Sequence, residues 1–256
     1  MDFVKLKDQL EPYFDNLDHI VNDILQPKVG GHQFKLFDAC RLKIKYIWYI
    51  QKRVEELDNQ YKEFLLLCIN KNSIAKLSLT QNKEFGAEYF FYFPFFEAIE
   101  FKNLLTQGKA CLDLFAKGIG SIYRPGGLPK NLKNLIKILK QKSGDRRVDR
   151  ILKYIYYEHK LRGVVIDPVD EGQETLRDLV VHYGRADIFF SIKGDEKGRY
   201  NLSKGALVNM RNPQISMLSN YLVTEIAAKV WFLLLGIIEN CFKIQFEDNS
   251  QTPFAA

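Results

Sequence analysis

The chain has 256 residues, 46% of them hydrophobic and 13% aromatic, enough to bury a sizeable core and to exclude wholesale disorder. Its net charge of +6 is concentrated, because residues 124–162 hold twelve Lys/Arg against three Asp/Glu while the remainder is slightly acidic. A local field of that sign can attract a polyanion.

No stretch nears the ~20 apolar residues that a membrane span requires. The run VWFLLLGII, 230–238, is bounded by Lys229 and Glu239 and reads as a buried helix. The N-terminal MDFVKLKDQLEP is charged throughout and lacks an apolar signal core. The expectation is a cytoplasmic protein with no membrane partner. Cys40, Cys68, Cys111 and Cys241 form no CxxC pair, which argues against a zinc site and for buried small apolar roles.

In chain order, residues 2–26 predict one or two short helices, ended by Pro27 and Gly30-Gly31. From Gln33 to about Asn70 a helical pattern runs without Gly or Pro, and its length suits an exposed or dimer-contacting helix. Residues 71–86 read as a polar connector, and Phe90–Phe93 as a short extended entry. Pro94 opens a helix whose positive first turn holds Glu97 and Glu100. Ile99, Leu104, Leu105, Cys111, Leu112 and Phe115 form its apolar stripe, with Gly118 and Gly120 as its end. The loop RPGG, 124–127, matches no phosphate-binding fingerprint.

Pro129 opens a basic helix, LPKNLKNLIKILKQK, that buries Leu132, Leu135, Ile136 and Leu139. Ser143-Gly144 breaks it, and a second basic helix follows over 145–162. After a connector comes EGQETLRDLVVHYG, helical up to Gly184. Residues 186–210 read as a small β-hairpin or short strands, and a strongly apolar helix from about Pro213 to Phe242 closes the chain. The fold class is mainly α, a helical bundle with a small β insertion before its last helix.

The segment LRDLVVH, 176–182, carries the candidate chemistry. At about 100° per residue, Leu176, Leu179, Val180 and Tyr183 share a core stripe, whereas Arg177, Asp178 and His182 face away from it. The acidic run Asp170, Glu171 and Glu174 belongs at the helix start and Gly184 at its C-terminal cap. Asp178 and His182 are four apart, so the carboxylate can orient the imidazole. Arg177 and His182 stand roughly 7.5 Å apart along the axis. Two copies of the helix meeting across a two-fold, with Val181 between them, would aim both groups at one atom more readily than one helix.

Arg-x4-His inside a helical bundle resembles the Arg-x(4–6)-His motif of the HEPN superfamily, whose members include ribonuclease toxins, phage-defence proteins and RNA-processing enzymes. The resemblance spans about residues 83–244. It implies an HEPN-like domain over 83–256, with residues 1–82 as a helical extension. Arg177 and His182 match the two defining positions. The residue after the arginine is frequently Asn in the toxins and is Asp178 here, a carboxylate that adds negative charge beside a phosphate. Glu97 or Glu100 could match a further polar position on the first helix of the family.

What the resemblance implies is a metal-independent endoribonuclease acting as a homodimer in toxin–antitoxin or phage-defence biology, with RNA as substrate and an antitoxin or regulatory protein as partner. The chemistry stands on its own terms. RNA carries its nucleophile, the 2′-hydroxyl, so a site needs a proton acceptor near neutral pH and a cation for the phosphorane. His182 supplies the first and the planar fork of Arg177 the second, with Asp178 between them. No carboxylate cluster or His/Cys set stands out as a metal site, and no cofactor is expected. Arg146, Arg147, Arg150 and Arg185 are candidate RNA contacts. His159 reads as a surface residue, and His19 and His32 as structural. The alternative is a non-catalytic module of the same fold that binds RNA, nucleotide or a partner protein.

Overall fold

A computed structural model describes residues 12–70, 80–82, 88–91, 95–124, 127–142, 144–157, 164–165, 175–182, 186–194, 200–202, 204–210 and 221–246. The chain is mainly α. Its helices are α1 (12–25), α2 (Gly31–Asn70), α3 (Phe95–Tyr123), α4 (Leu132–Lys140), α5 (Arg146–Tyr157), α6 (Leu176–Val181) and α7 (Val223–Phe246). Its strands are β1 (Thr80–Asn82), β2 (Glu88–Phe91), β3 (Ala186–Gly194), β4 (Tyr200–Leu202), β5 (Leu207–Met210) and β6 (Tyr221–Leu222). Ile20–Leu25, the second half of α1, is π-helical. Among the described residues no helix is long and apolar enough to cross a membrane.

The chain divides into two compact units, one of residues 1–48, 107–169 and 231–256, the other of residues 49–106 and 170–230. Each unit draws residues from both sides of position 82, where an extension was expected to end.

In the first unit, the core forms where α2, α3 and α7 bring their aromatics together. Phe37 meets Phe242 and Phe246 edge-on at 5.0 and 5.5 Å between centroids, and Phe115 stacks on Phe242 at 6.1 Å. Cys40 and Cys111 are fully buried with their sulfurs 3.7 Å apart, and Cys241 is buried too, as small apolar fillers. Cys68 is partly exposed. The long α2 is therefore no exposed rod, since Phe37, Cys40, Ile44, Ile47 and Trp48 put one face into this core. Val54, Leu57, Asp58 and Leu65 continue the stripe within the second unit. A three-and-four spacing sustained over 40 residues fits a central helix as well as a projecting one, and packing decides between them.

Gly118 and Gly120 do not end α3, which runs on to Tyr123. They permit close approach instead. A Cβ on Gly118 would lie 2.9 Å from Cε1 of Phe37, and one on Gly120 would lie 2.3 Å from Cγ of Pro129. The rigid proline ring cannot swing aside. Gly120→Ala is expected to destabilise the fold by about 1–3 kcal/mol despite alanine's better helix propensity, measured as a lower denaturation midpoint at unchanged slope.

The two basic helices appear as α4, shorter than the sequence pattern predicts, and α5, whose expected last residues 158–162 lie outside the described residues. Asn131, not Pro129, starts α4, its side chain accepting from the Asn134 amide at 3.0 Å. Leu132, Leu135, Ile138 and Leu139 are buried, whereas Ile136 is only partly so. Gly144 takes the left-handed φ of 104° between the helices, a conformation glycine adopts without a Cβ clash. Asp145 then accepts from the Arg147 amide at 2.8 Å, opening α5.

In the second unit, the strands form one antiparallel sheet of order β1-β2-β3-β5-β6, with β4 also pairing to β3. The β insertion expected over 186–210 is thus part of a six-stranded sheet, which also takes strands from 80–91 and 221–222. A lone hairpin is marginal in water, and added strands satisfy its open edges. Phe189, Phe190, Ser191 and Ile192 are all buried, so β3 is covered on both faces. Tyr61 of α2 packs against Phe190 at 6.5 Å. The buried Asp58 clamps the segment before β5, accepting from the Ala206 amide at 2.7 Å while pairing with Lys62 at 2.7 Å. The closing helix begins at Val223, ten residues after the expected Pro213, and residues 211–220 lie outside the described residues.

Candidate active site

Thr175 sets the site's geometry. Its backbone is extended, its hydroxyl accepts from the Asp178 amide at 3.0 Å, and it donates to the Asp178 carboxylate at 2.7 Å. This N-cap starts α6 after Thr175, not at the acidic run upstream, and limits the helix to six residues. The threonine is 2% exposed, so the cap is held rigidly. Leu176 and Leu179 face the core as predicted, while Val180 and Val181 are only partly buried. Asp170, Glu171, Glu174, Tyr183, Gly184 and Arg185 lie outside the described residues.

Arg177, Asp178 and His182 come together within one chain. Arg177 Nη1 donates to Asp178 Oδ1 at 2.6 Å and stands 2.7 Å from His182 Nε2. A guanidinium has donors only, so in this contact the imidazole Nε2 accepts and the ring proton sits on Nδ1. The flexible arginine stem spans the axial rise that keeps the two Cα atoms apart. The two groups touch within one chain, closer than their separation along the helix axis. The predicted Asp178–His182 hydrogen bond is absent, for the two stand 3.9 Å apart, within ion-pair range only. Arg177 Nη1 stands in contact with both groups.

Exposure rises along the trio, with side chains 22%, 33% and 54% accessible for Arg177, Asp178 and His182. Burial pushes the Asp178 carboxyl up, but hydrogen bonds from Arg177 and Thr175, and the charge of Arg177, outweigh it and hold the group below the usual carboxylate range. Arg177 Nε is buried with no acceptor among the described residues. Such donors are uncommon and costly.

Arg146, Arg147 and Arg150 belong to α5 in the first unit, whereas the trio belongs to the second. Arg146 and Arg150 are exposed and Arg147 is partly buried. Of the other histidines, His19 pairs with Asp23 at 2.7 Å, His32 is exposed, and His159 lies outside the described residues.

Two features escape the sequence reading. Thr175 is one, although Thr-Leu-Arg-Asp has the spacing of a helix-capping pair. The other is the burial of Glu97, which the sequence placed only in a helix's first turn, and neither of whose carboxylate oxygens is hydrogen-bonded among the described residues. Burial first, and then the charge of Asp58, raise its pKa to about 8, with Lys62 opposing. Ile99, placed on the apolar stripe by periodicity, is exposed. Among the described residues no group of three or more His, Cys, Asp or Glu is arranged to hold a metal ion.

No family model matches the sequence, and neither a curated protein nor a solved structure matches it.

Proposed function

We propose that the chain is a metal-independent endoribonuclease of HEPN type, with His182 and Arg177 as its catalytic pair and toxin–antitoxin or phage-defence biology as its setting. The observation that carries this reading is the 2.7 Å contact between Arg177 Nη1 and His182 Nε2 on one short helix. A general base and a phosphate-gripping cation within contact of each other are the two parts that in-line attack by a 2′-hydroxyl requires.

In this mechanism His182 Nε2 exchanges its arginine partner for the 2′-hydroxyl and takes its proton. The oxygen attacks the adjacent phosphorus, and the bond to the 5′-oxygen breaks as that oxygen takes a proton from solvent water. The products are a 2′,3′-cyclic phosphate and a 5′-hydroxyl. Arg177 turns its fork onto the non-bridging oxygens as charge develops, which also gives its buried Nε–H an acceptor. Asp178 is a positioning residue that holds the guanidinium. A second copy of the chain, paired about a two-fold, would add its own Arg177 and His182 to a composite cleft.

One observation favours a second reading. The Arg177–Asp178 ion pair already neutralises the guanidinium, which suits a non-catalytic module that binds RNA, nucleotide or a partner protein. The deciding experiment incubates structured RNA with wild type and with His182→Ala in EDTA, and identifies the new ends. Cyclic phosphate from wild type alone supports the nuclease. Binding without cutting across many RNAs supports the module.

A further inference from the structure

Sequence and surface together single out the hairpin of α4 and α5. Residues 130–153 hold nine Lys/Arg against two Asp, an excess larger than the net +6 of the whole chain. Lys133, Lys137 and Lys140 recur at helical spacing on α4 and are exposed, and so do Arg146, Arg150 and Lys153 on α5. The opposite faces are apolar and buried, through Leu132, Leu135 and Leu139 on one helix and Val148, Ile151 and Ile155 on the other. Each helix therefore turns one basic row outward, with successive cations about 5–6 Å apart along its axis.

Helix stability explains only part of this pattern. Lys137 and Lys140 fall in the last turn of α4, where the dipole favours cations. Arg146 and Arg147 open α5, where the dipole disfavours them. Of the two acidic residues, Asp145 is engaged in capping α5 through the Arg147 and Val148 amides.

We infer that the outer face of the α4–α5 hairpin is a docking surface for the sugar–phosphate backbone of double-helical RNA. Charge complementarity selects a polyanion of uniform sign. Stable anchoring to a membrane would require, besides the cations, a second signal such as an apolar face free to enter the lipid, and the apolar faces of both helices are buried in the protein. Base stacking on single strands would require exposed aromatics. Of the hairpin's aromatics, Tyr154 is partly buried and hydrogen-bonded to Asn240. The inference rests on the nuclease reading for the choice of RNA, and assigns the hairpin a sequence-independent holding role separate from the trio.

The test measures affinity for a 20-base-pair RNA stem-loop across 50–200 mM salt, in full-length protein carrying His182→Ala so that the probe stays intact. The comparison protein adds Lys133→Gln, Lys137→Gln, Arg146→Gln and Lys153→Gln, with circular dichroism and melting to check its fold. Removing four phosphate contacts is expected to lower the slope of log affinity against log salt by about 3–4. The salt-induced loss over that range should then be roughly 100-fold smaller, while Lys35→Gln/Lys229→Gln leaves the slope unchanged. Equal affinity and slope in both proteins would overturn the inference, as would capture by phosphatidylserine vesicles in place of RNA. Binding that depends on the hairpin in a protein that never cuts RNA would uphold it and remove the nuclease reading alone.

Discussion

Replacing His182 with alanine is expected to slow RNA cleavage in EDTA by about 10²–10⁴-fold and to leave RNA affinity within about twofold. The imidazole is half exposed and sits at the end of α6, so its loss opens no core cavity, and a melting curve should match that of wild type. Arg177→Lys separates charge from geometry. It keeps the cation but loses the planar fork that can hold Asp178 and two phosphoryl oxygens at once, so the rate should fall while binding persists. Asp178→Asn keeps an oxygen for Thr175 and removes the negative charge. If Arg177 serves RNA, this variant binds more tightly than wild type and retains cutting. If the Arg177–Asp178 pair is purely structural, it loses stability and gains nothing. Cleavage by His182→Ala at the wild-type rate would remove the histidine from the mechanism.

The second large effect concerns stability against pH. Unfolded, the Glu97 carboxyl ionises near its ordinary value of 4.5, whereas in the folded chain burial holds the proton until about 8. Between those values the unfolded chain releases a proton that the folded chain keeps. Ionisation therefore favours unfolding, and stability falls as pH rises through the window, by on the order of 3–5 kcal/mol in all. Glu97→Gln removes the titration and should flatten that part of the curve. The expected result is a wild-type melting temperature that drops relative to the variant from pH 5 to pH 8, with the two curves parallel above about pH 8. Parallel curves throughout would mean that Glu97 ionises inside the fold without cost. Asp178 acts with the opposite sign, because its depressed pKa gives stability that is lost as pH falls through the acidic range.

Some local features follow from neighbouring residues and were legible. The span of α2, the entry of β2 and the strand character of 186–210 all agree with their sequence patterns. So does the outward placement of Arg177, Asp178 and His182, since Leu176 and Leu179 alone occupy the buried side of α6. Helix ends were less legible. Gly118 and Gly120 carry the composition of a helix end, yet Phe37 and Pro129, distant in sequence, require small residues within the helix. Thr175 moved the start of α6 because a capping hydroxyl outweighs a nearby acidic run.

The candidate site divides along the same line. Residue types, their spacing and the basic segment were set by the sequence, because helical period and charge are properties of stretches a few turns long. Tertiary structure decided that strands from 80–91 and 221–222 join the sheet, that Asp58 clamps Ala206 across 148 positions, and that Glu97 lies buried. Such outcomes depend on which side chains exclude water together, and that partnership is made between segments far apart in the chain, where no local pattern records it.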